Sequence, residues 1–331
     1  MATVNANGVV TETVVAEEEV VVLDHSIEDS QGGFDIGGYV PVENKWSFGR
    51  WFRELGWRYI VGLVALAFAI FPVLFVISAA LNPIGSVAST TLIPSHGVTL
   101  NNFRLLFGPA SGGLFWRWYL NTLIVCAFCT AISILCSTAA AYAFSRLHWR
   151  GRRNSLLALM LLMMFPNVLA MIALYTMFSG LGNAIPQLGL STILGYAFAM
   201  TGGALGQVWL LKGTMDTIPG SLDEAATIDG AGHFTVFSRI LLPVLGPILA
   251  TTTLLSFTGP ISEFLVGSLF LTDRRVQTLA VGLYSMLQED RSANLGVFAA
   301  GAILTVLPVV LLFQYLQRYI VGGASDGAVK G

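Results

Sequence analysis

Between Asn154 and Leu211 the chain runs for 58 residues without one Asp, Glu, Lys or Arg. Roughly a quarter of the residues in an ordinary soluble domain are charged, so water is the wrong solvent for this stretch. A bilayer core of about 30 Å takes about 20 apolar residues of helix. The run is therefore too long for one crossing and suits two, with Gly180, Gly182, Asn183, Pro186 and Gly189 as turn formers between them. The same criterion yields spans at about 59–81, 118–145, 155–179, 191–211, 241–271 and 297–315. The expected fold is all-α, a polytopic membrane protein with six transmembrane helices, because only helices satisfy their own backbone in lipid.

Charge is scarce, 11% of 331 residues, and the formal net charge is −2, which excludes the basic field of a nucleic-acid binder. It is also unevenly placed. Residues 1–44 hold nine acids and no Lys or Arg, and no helical periodicity, so they read as an acidic, disordered leader. Lys and Arg near span ends favour the cytoplasm. With the N-terminus inside, 12 of the 17 bases are cytoplasmic, and both termini are expected there, in a cell inner or plasma membrane. Arg274 and Arg275 are the exception, just past the fifth span on the outer face.

Chemistry in such a scaffold is confined to loops and to the space between helices. The most informative loop, residues 212–240, reads KGTMDTIPGSLDEAATIDGAGHFTVFSRI. Pro219 and Gly220 stop the incoming helix; Ser221 is positioned to cap a new one, and Glu224 three residues on completes a capping box. Asp223 adds negative charge at the positive end of the helix dipole. Ala225 and Ala226 are small side chains exposed beside the carboxylate, and Gly230 and Gly232 permit a bend. Ile240, Leu242 and Pro243 open the next span. A short helix held between two bends suits insertion into the cleft of another protein, whereas an ordinary amphipathic interfacial helix is the plainer use of such a segment.

The spacing Glu224-Ala225-Ala226, Gly230, Ile240, Leu242-Pro243 covers 20 residues and resembles the EAA signature of ABC-importer permeases. Phe165-Pro166-x-Val168-Leu169, Ala173-Leu174-Tyr175, Trp209-x-x-Lys212-Gly213, Thr278-Leu279-Ala280-Val281-Gly282 and the terminal Ala328-Val329-Lys330-Gly331 are similar to the MetI/MalG-like permeases of the carbohydrate-uptake class. The likeness covers about residues 57–331. It implies a permease subunit of a binding-protein-dependent sugar importer, with maltose and maltodextrins as the expected substrates. The implied partners are a second, MalF-like permease subunit, an ABC ATPase dimer and an extracytoplasmic sugar-binding protein. In such a permease Ser221, Asp223, Glu224, Ala225, Ala226, Gly230, Ile240, Leu242 and Pro243 would form the coupling element docked on the ATPase. The loop at about 273–296 would reach the binding protein, and the tail 321–331 the ATPase pair.

No lysine among Lys45, Lys212 and Lys330 lies in a Walker loop, so no cofactor is expected in this subunit and ATP is expected to be bound by its partner. No catalytic residue is expected. Cys126, Cys129 and Cys136 share an apolar helix and the four histidines are scattered, which gives no metal site. Glu263, the one acid within an expected span, follows Gly259-Pro260 and is read as lying near a translocation path; Asn167, Tyr175 and Gln207 could line it. Interhelical hydrogen bonding is an equally good use for the last three. Trp116, Trp118 and Tyr119 are read as interfacial anchors, and Gly202-x-x-x-Gly206 as a close helix contact. The competing functions are a permease for another di- or oligosaccharide, a polyol or glycerol phosphate, and a membrane scaffold without transport.

Overall fold

The computed structural model describes residues 2–4, 10–16, 19–24, 52–83 and 97–328. The chain divides into two units, Met1–Ile70 and Phe71–Gly331. In the first, β1 (Ala2–Val4), β2 (Val10–Ala16) and β3 (Glu19–Asp24) pair antiparallel in sequence order. Over these segments the leader differs from the irregular chain its acidity suggests. The runs VTETVVA and EVVVLD are rich in β-branched valine, which fits a pleated strand better than a helix. The rest of residues 1–44 lies outside the described residues.

A π-turn at Phe52–Gly56 leads into α1 (Trp57–Leu81), whose 25 residues reach about 38 Å at 1.5 Å per residue, enough to cross a bilayer core. Leu63, Val64 and Phe68 are exposed, as side chains facing lipid are.

The second unit contains α2 (Asn101–Phe107), α3 (Phe115–Ser145), α4 (Arg152–Met163), α5 (Asn167–Ala184), α6 (Ile193–Met200), α7 (Val208–Thr217) and α8 (Ser221–Ile228). Beyond these lie α9 (His233–Val244), α10 (Gly246–Ser262), α11 (Leu265–Phe270), α12 (Leu279–Glu289) and α13 (Arg291–Ala328). Two of them, α3 and the Asn294–Ile320 part of α13, are straight helices long and apolar enough to span, as is α1. Three further apolar stretches are bent pairs: Arg152–Met163 with Val168–Ala184 at 97°, Ile193–Gly203 with Val208–Thr217 at 49°, and His233–Val244 with Gly246–Ser262 at 82°. With each pair taken as one broken span, the described residues supply up to six crossings.

The bends fall where the sequence removes helical bonds. Pro166 has an extended ψ of 118° and stands between α4 and α5. Gly202 and Gly206 sit in the irregular stretch between α6 and α7, and an added Cβ on Gly202 would meet nothing within 4 Å. They are thus a break in the span and not the helix-packing stripe expected of them; without side chains to stiffen the turn, the backbone unwinds there. The expected fifth span, 241–271, is not one helix either. It bends at Leu245–Gly246, ahead of Pro247, and ends at Ser262. Gly259-Pro260 does not end it: α10 runs through Pro260 and stops two residues later, where Glu263 turns extended with ψ 113°.

At the centre, α10 packs on both α3 and α13, and α3 packs on α7. Three apolar clusters lie along the body. One joins Leu106, Phe115, Trp118, Leu283, Met286 and Ala300. A second, around Val125, Phe178, Tyr196 and Phe270, lies in the middle of the sequence's long apolar run and beyond it. The third collects Tyr142, Leu211, Met215, Ala226, Val236 and Leu241 under the 212–240 loop.

Candidate functional site

The 212–240 loop folds back on the C-terminal end of α3. Arg146, the C-cap of that helix, donates from Nη2 to the Ile218 carbonyl at 2.8 Å and brings Nε to 2.7 Å from Asp223 Oδ2. The Nε–H is not aimed for a hydrogen bond, so the second contact is an ion pair held by charge. Both side chains are largely covered, 15% and 21% exposed, which strengthens the attraction over that of a surface pair. One residue earlier, Ser145 Oγ donates to Asp216 Oδ1 at 2.6 Å, and Lys212 bonds the other oxygen of the same carboxylate. Tyr142 donates to the His233 carbonyl at 3.2 Å, and its ring lies 5.1 Å from that of Phe237. The last turn of α3 and its C-cap, Tyr142 to Arg146, thus grip the start, the support and the far end of the loop.

Within it, α8 begins one residue earlier than the capping box requires. Gly220 is the N-cap with helical φ −64° and ψ −21°, no side chain caps the helix, and the Glu224 N–H bonds the Gly220 carbonyl at 3.1 Å. Ser221 is therefore the first helical residue. A Ser cap needs the extended conformation that the Pro219-Gly220 turn denies it. Asp223 and Glu224 do lie in the first turn, where the dipole favours them.

The other end follows the sequence closely. Gly230 has φ +83°, its N–H bonds the Thr227 carbonyl at 3.0 Å, and Ala231 N–H bonds the Ala226 carbonyl at 2.9 Å. That pair of bonds is the Schellman stop, which calls for glycine in the left-handed region. Gly232, by contrast, is ordinary extended backbone.

The two alanines part company. Ala226 is buried against Val236 and Leu241, while Ala225 and Glu224 stay exposed. Of the residues that carry on the signature, Ile240 and Leu242 are half-buried and Pro243 is exposed. The outward surface is apolar to a degree that the sequence reading missed: Leu222 is 44%, Phe234 79% and Ile228 86% exposed. The available signal was a large apolar residue at the last position of a short helix in a polar loop.

The residues assigned to a translocation path are only partly brought together. Glu263 caps α11, accepting from the Val266 N–H at 2.9 Å. Tyr175 is exposed and edge-on to Phe270 at 6.4 Å, and Phe270 also meets the ring of the buried Tyr196 at 6.2 Å. Tyr175 and Glu263 thus share the neighbourhood of α11. Gln207 stands apart as the N-cap of α7 without a side-chain capping bond, and Asn167 opens α5 with its side chain outside the described residues.

At the opposite end the loop after α11 is stitched to α3. Trp118 Nε1 donates to the Arg274 carbonyl at 2.6 Å, and Asn121 Nδ2 to those of Arg275 and Gln277 at 3.2 and 2.9 Å. Thr122 Oγ1 accepts from the Leu279 N–H at 2.8 Å and donates to the Trp118 carbonyl at 2.9 Å. Trp118 is fully buried, so it is not the interfacial anchor expected; Trp116, 57% exposed, fits that role. Gly282 makes the room: a Cβ there would fall 2.3 Å from Trp118 Cδ2.

Cys126 and Cys129 are buried, and the Cys129 thiol points to the Ala197 carbonyl at 3.6 Å. Among the described residues no group of three or more His, Cys, Asp or Glu could hold a metal ion.

Residues 133–325 match the family described as binding-protein-dependent transport system inner membrane component. The maltose/maltodextrin transport system permease protein MalG of Photorhabdus laumondii is 40% identical over 279 residues, which cover 80% of this chain and 92% of that protein. The galactooligosaccharides transport system permease protein GanQ of Bacillus subtilis is 36% identical, with 83% of this chain and 96% of that one covered. In three dimensions the chain resembles a subunit of a bacterial ABC transporter that imports the acidic polysaccharide alginate, with a TM-score of 0.65 at 21% identity, covering 83% of this chain and 98% of that one.

Proposed function

The chain belongs to the family of binding-protein-dependent transport system inner membrane components, and from that premise we propose that it is a membrane permease subunit of an ABC importer for maltose and maltodextrins. The observation that carries the mechanism is the rooted helix α8. Arg146 and the Ala226 cluster hold it from behind, while Leu222, Ile228 and Phe234 present an apolar face outward. Apolar side chains left that open beside an exposed carboxylate suit a protein partner. The partner is the ATPase: it binds and hydrolyses ATP, and α8 passes its closure to α3, α7 and α9, so that the cavity shared with a second permease subunit changes the side it faces. An extracytoplasmic binding protein delivers the sugar to the loop between α11 and α12.

This reading puts both termini and α8 in the cytoplasm. The outer Arg274, paired with Glu289 at 2.8 Å, runs against the base count and is outvoted by the bases of the other loops. Ser221, Asp223, Glu224, Ala225, Ala226, Gly230, Ile240, Leu242 and Pro243 act in coupling, some by contact and some, such as Ala226 and Gly230, by shaping α8. Glu263, Asn167, Tyr175 and Gln207 are the positions proposed for the sugar path.

Gly230→Asp separates docking from folding. Nothing lies within 4 Å of an added Cβ, and Asp tolerates the left-handed region better than most residues, so the fold should lose only about 1 kcal/mol. The new charge beside Ile228 should abolish uptake with membrane insertion intact; full uptake would contradict the docking role. Uptake of labelled maltose, maltotriose and galacto-oligosaccharide, each with the matching binding protein, tests the substrate. Maltodextrin uptake is expected, and uptake of galacto-oligosaccharide alone would transfer the assignment to the sugar of the GanQ relative.

A further inference from the structure

At the start of α4 the sequence places Arg150, Arg152 and Arg153 around a helix N-terminus with no acid in its first turn and no side-chain cap. This is an electrostatic mismatch. The N-terminus of a helix carries about half a positive charge, and two arginines in the first turn add to it. Gly151, at φ +92°, turns the chain so that Arg152 and Arg153 border a cavity of about 500 Å³ together with Trp149, Asn154 and Lys212. Lys212 is bonded to Asp216, but that carboxylate is shared with Ser145. Arg153 makes no ion pair among the described residues, and Arg152 makes no direct one but acts through space on the same Asp216 carboxylate. Three cations against one anion leave the cavity with about two positive charges and a surplus of N–H donors. Immediately beyond it, α4 exposes Leu157, Met160, Leu161 and Leu162, an apolar strip leading from the cations along the span.

We propose that this cavity binds the phosphate headgroup of an anionic phospholipid, with the acyl chains lying along the exposed face of α4. The chemistry matches in both halves. Guanidinium groups pair phosphate oxygens in a bidentate fork, helix-terminal amides add donors, and basic pockets at the ends of membrane helices suit such headgroups. Trp149, 42% exposed, stands where an aromatic ring sits well at the headgroup level. A free phosphate would use the cations and amides but leave the apolar strip unexplained, and that strip favours the lipid. Because Lys212 and Asp216 also belong to the support of α8, the bound headgroup would lie one residue contact from the coupling loop.

The test uses the assembled transporter in nanodiscs of equimolar phosphatidylglycerol and phosphatidylcholine, released gently and weighed by native mass spectrometry. Both lipids are present in both leaflets, so the result does not depend on which way the protein faces, nor on which sugar it carries. The wild-type assembly should retain phosphatidylglycerol in preference to phosphatidylcholine. Arg152→Gln with Arg153→Gln should cut that preference about tenfold or more, since each base near a lipid surface contributes about 1 kcal/mol. Arg152→Lys with Arg153→Lys should restore much of it, and Arg275→Gln at the other end of the molecule should leave it unchanged. Equal retention of the two lipids by the wild type would overturn the proposal, as would an unaltered preference in the Gln variant. So would millimolar inorganic phosphate that displaces the bound phosphatidylglycerol completely, because the apolar strip would then contribute nothing.

Discussion

The two ends of the membrane body are fastened to the same helix, α3, by different chemistry. Near its start, Trp118, Asn121 and Thr122 hold the loop before α12 through neutral hydrogen bonds to backbone groups, packed against a dry apolar cluster. At its finish, Ser145 and Arg146 hold the 212–240 loop through two carboxylates, the half-exposed Asp216 and the largely covered Asp223. Neutral bonds in a closed core cost about 1–3 kcal/mol each when a partner is left unsatisfied, so that end resists any change of angle. An ion pair lacks the strict alignment of a hydrogen bond, and its attraction falls only gradually as it lengthens, so it tolerates a change of angle better. One end is built as a fixed clamp and the other as a joint.

The clamp breaks most severely. Gly282→Leu would drive a Cβ to within 2.3 Å of Trp118 Cδ2, and overpacking of a filled core costs about 3 kcal/mol. Loss of monodisperse protein on extraction, or a large fall in Tm, is the expected outcome; a variant as stable as the wild type would mean that Trp118 can move and that no clamp exists. The joint should fail in function before it fails in stability. Arg146→Ala removes the partner of Asp223 and of the Ile218 carbonyl, for about 2 kcal/mol. Uptake should fall at least tenfold while the assembly still forms. Adding Asp223→Asn should recover part of the stability, and a double variant no better than the single one would deny the pairing. Smallest is Arg274→Gln, which cuts an ion pair whose side chains are 42% and 54% exposed; a loss of about 0.5 kcal/mol or less in thermal stability is expected.

The apolar, helical segments and the stop of α8 were legible in the sequence because the bilayer imposes one rule on every residue of a crossing, and because Gly230 answers a strictly local demand of backbone geometry. Other features depend on partners far along the chain. Trp118 reads as an interfacial aromatic until Gly282 is seen to leave room for its ring. Ser221 reads as a cap, yet the turn at Pro219-Gly220 starts the helix a residue sooner. Glu263 reads as an intramembrane charge, and hydropathy alone does not announce that its carboxylate accepts from the N–H of Val266 at a helix break. Arg146 counted only towards orientation, because nothing local announces that Asp223 returns to it across a turn and a helix. The breaks at Gly202–Gly206 and Leu245–Gly246 escaped a reading by hydropathy, which measures what a segment is dissolved in and not whether it is straight.

The joint has meaning only if something grips it. Single cysteines at Leu222, Ala226, Ile228 and Phe234, with Cys126, Cys129 and Cys136 replaced by serine, can be crosslinked in the assembled transporter with and without ATP. Crosslinks from Ile228 and Phe234 to the ATPase throughout the cycle, with none from the buried Ala226 position, are the predicted result. Side chains that stay reactive to a soluble thiol reagent in every nucleotide state would contradict it.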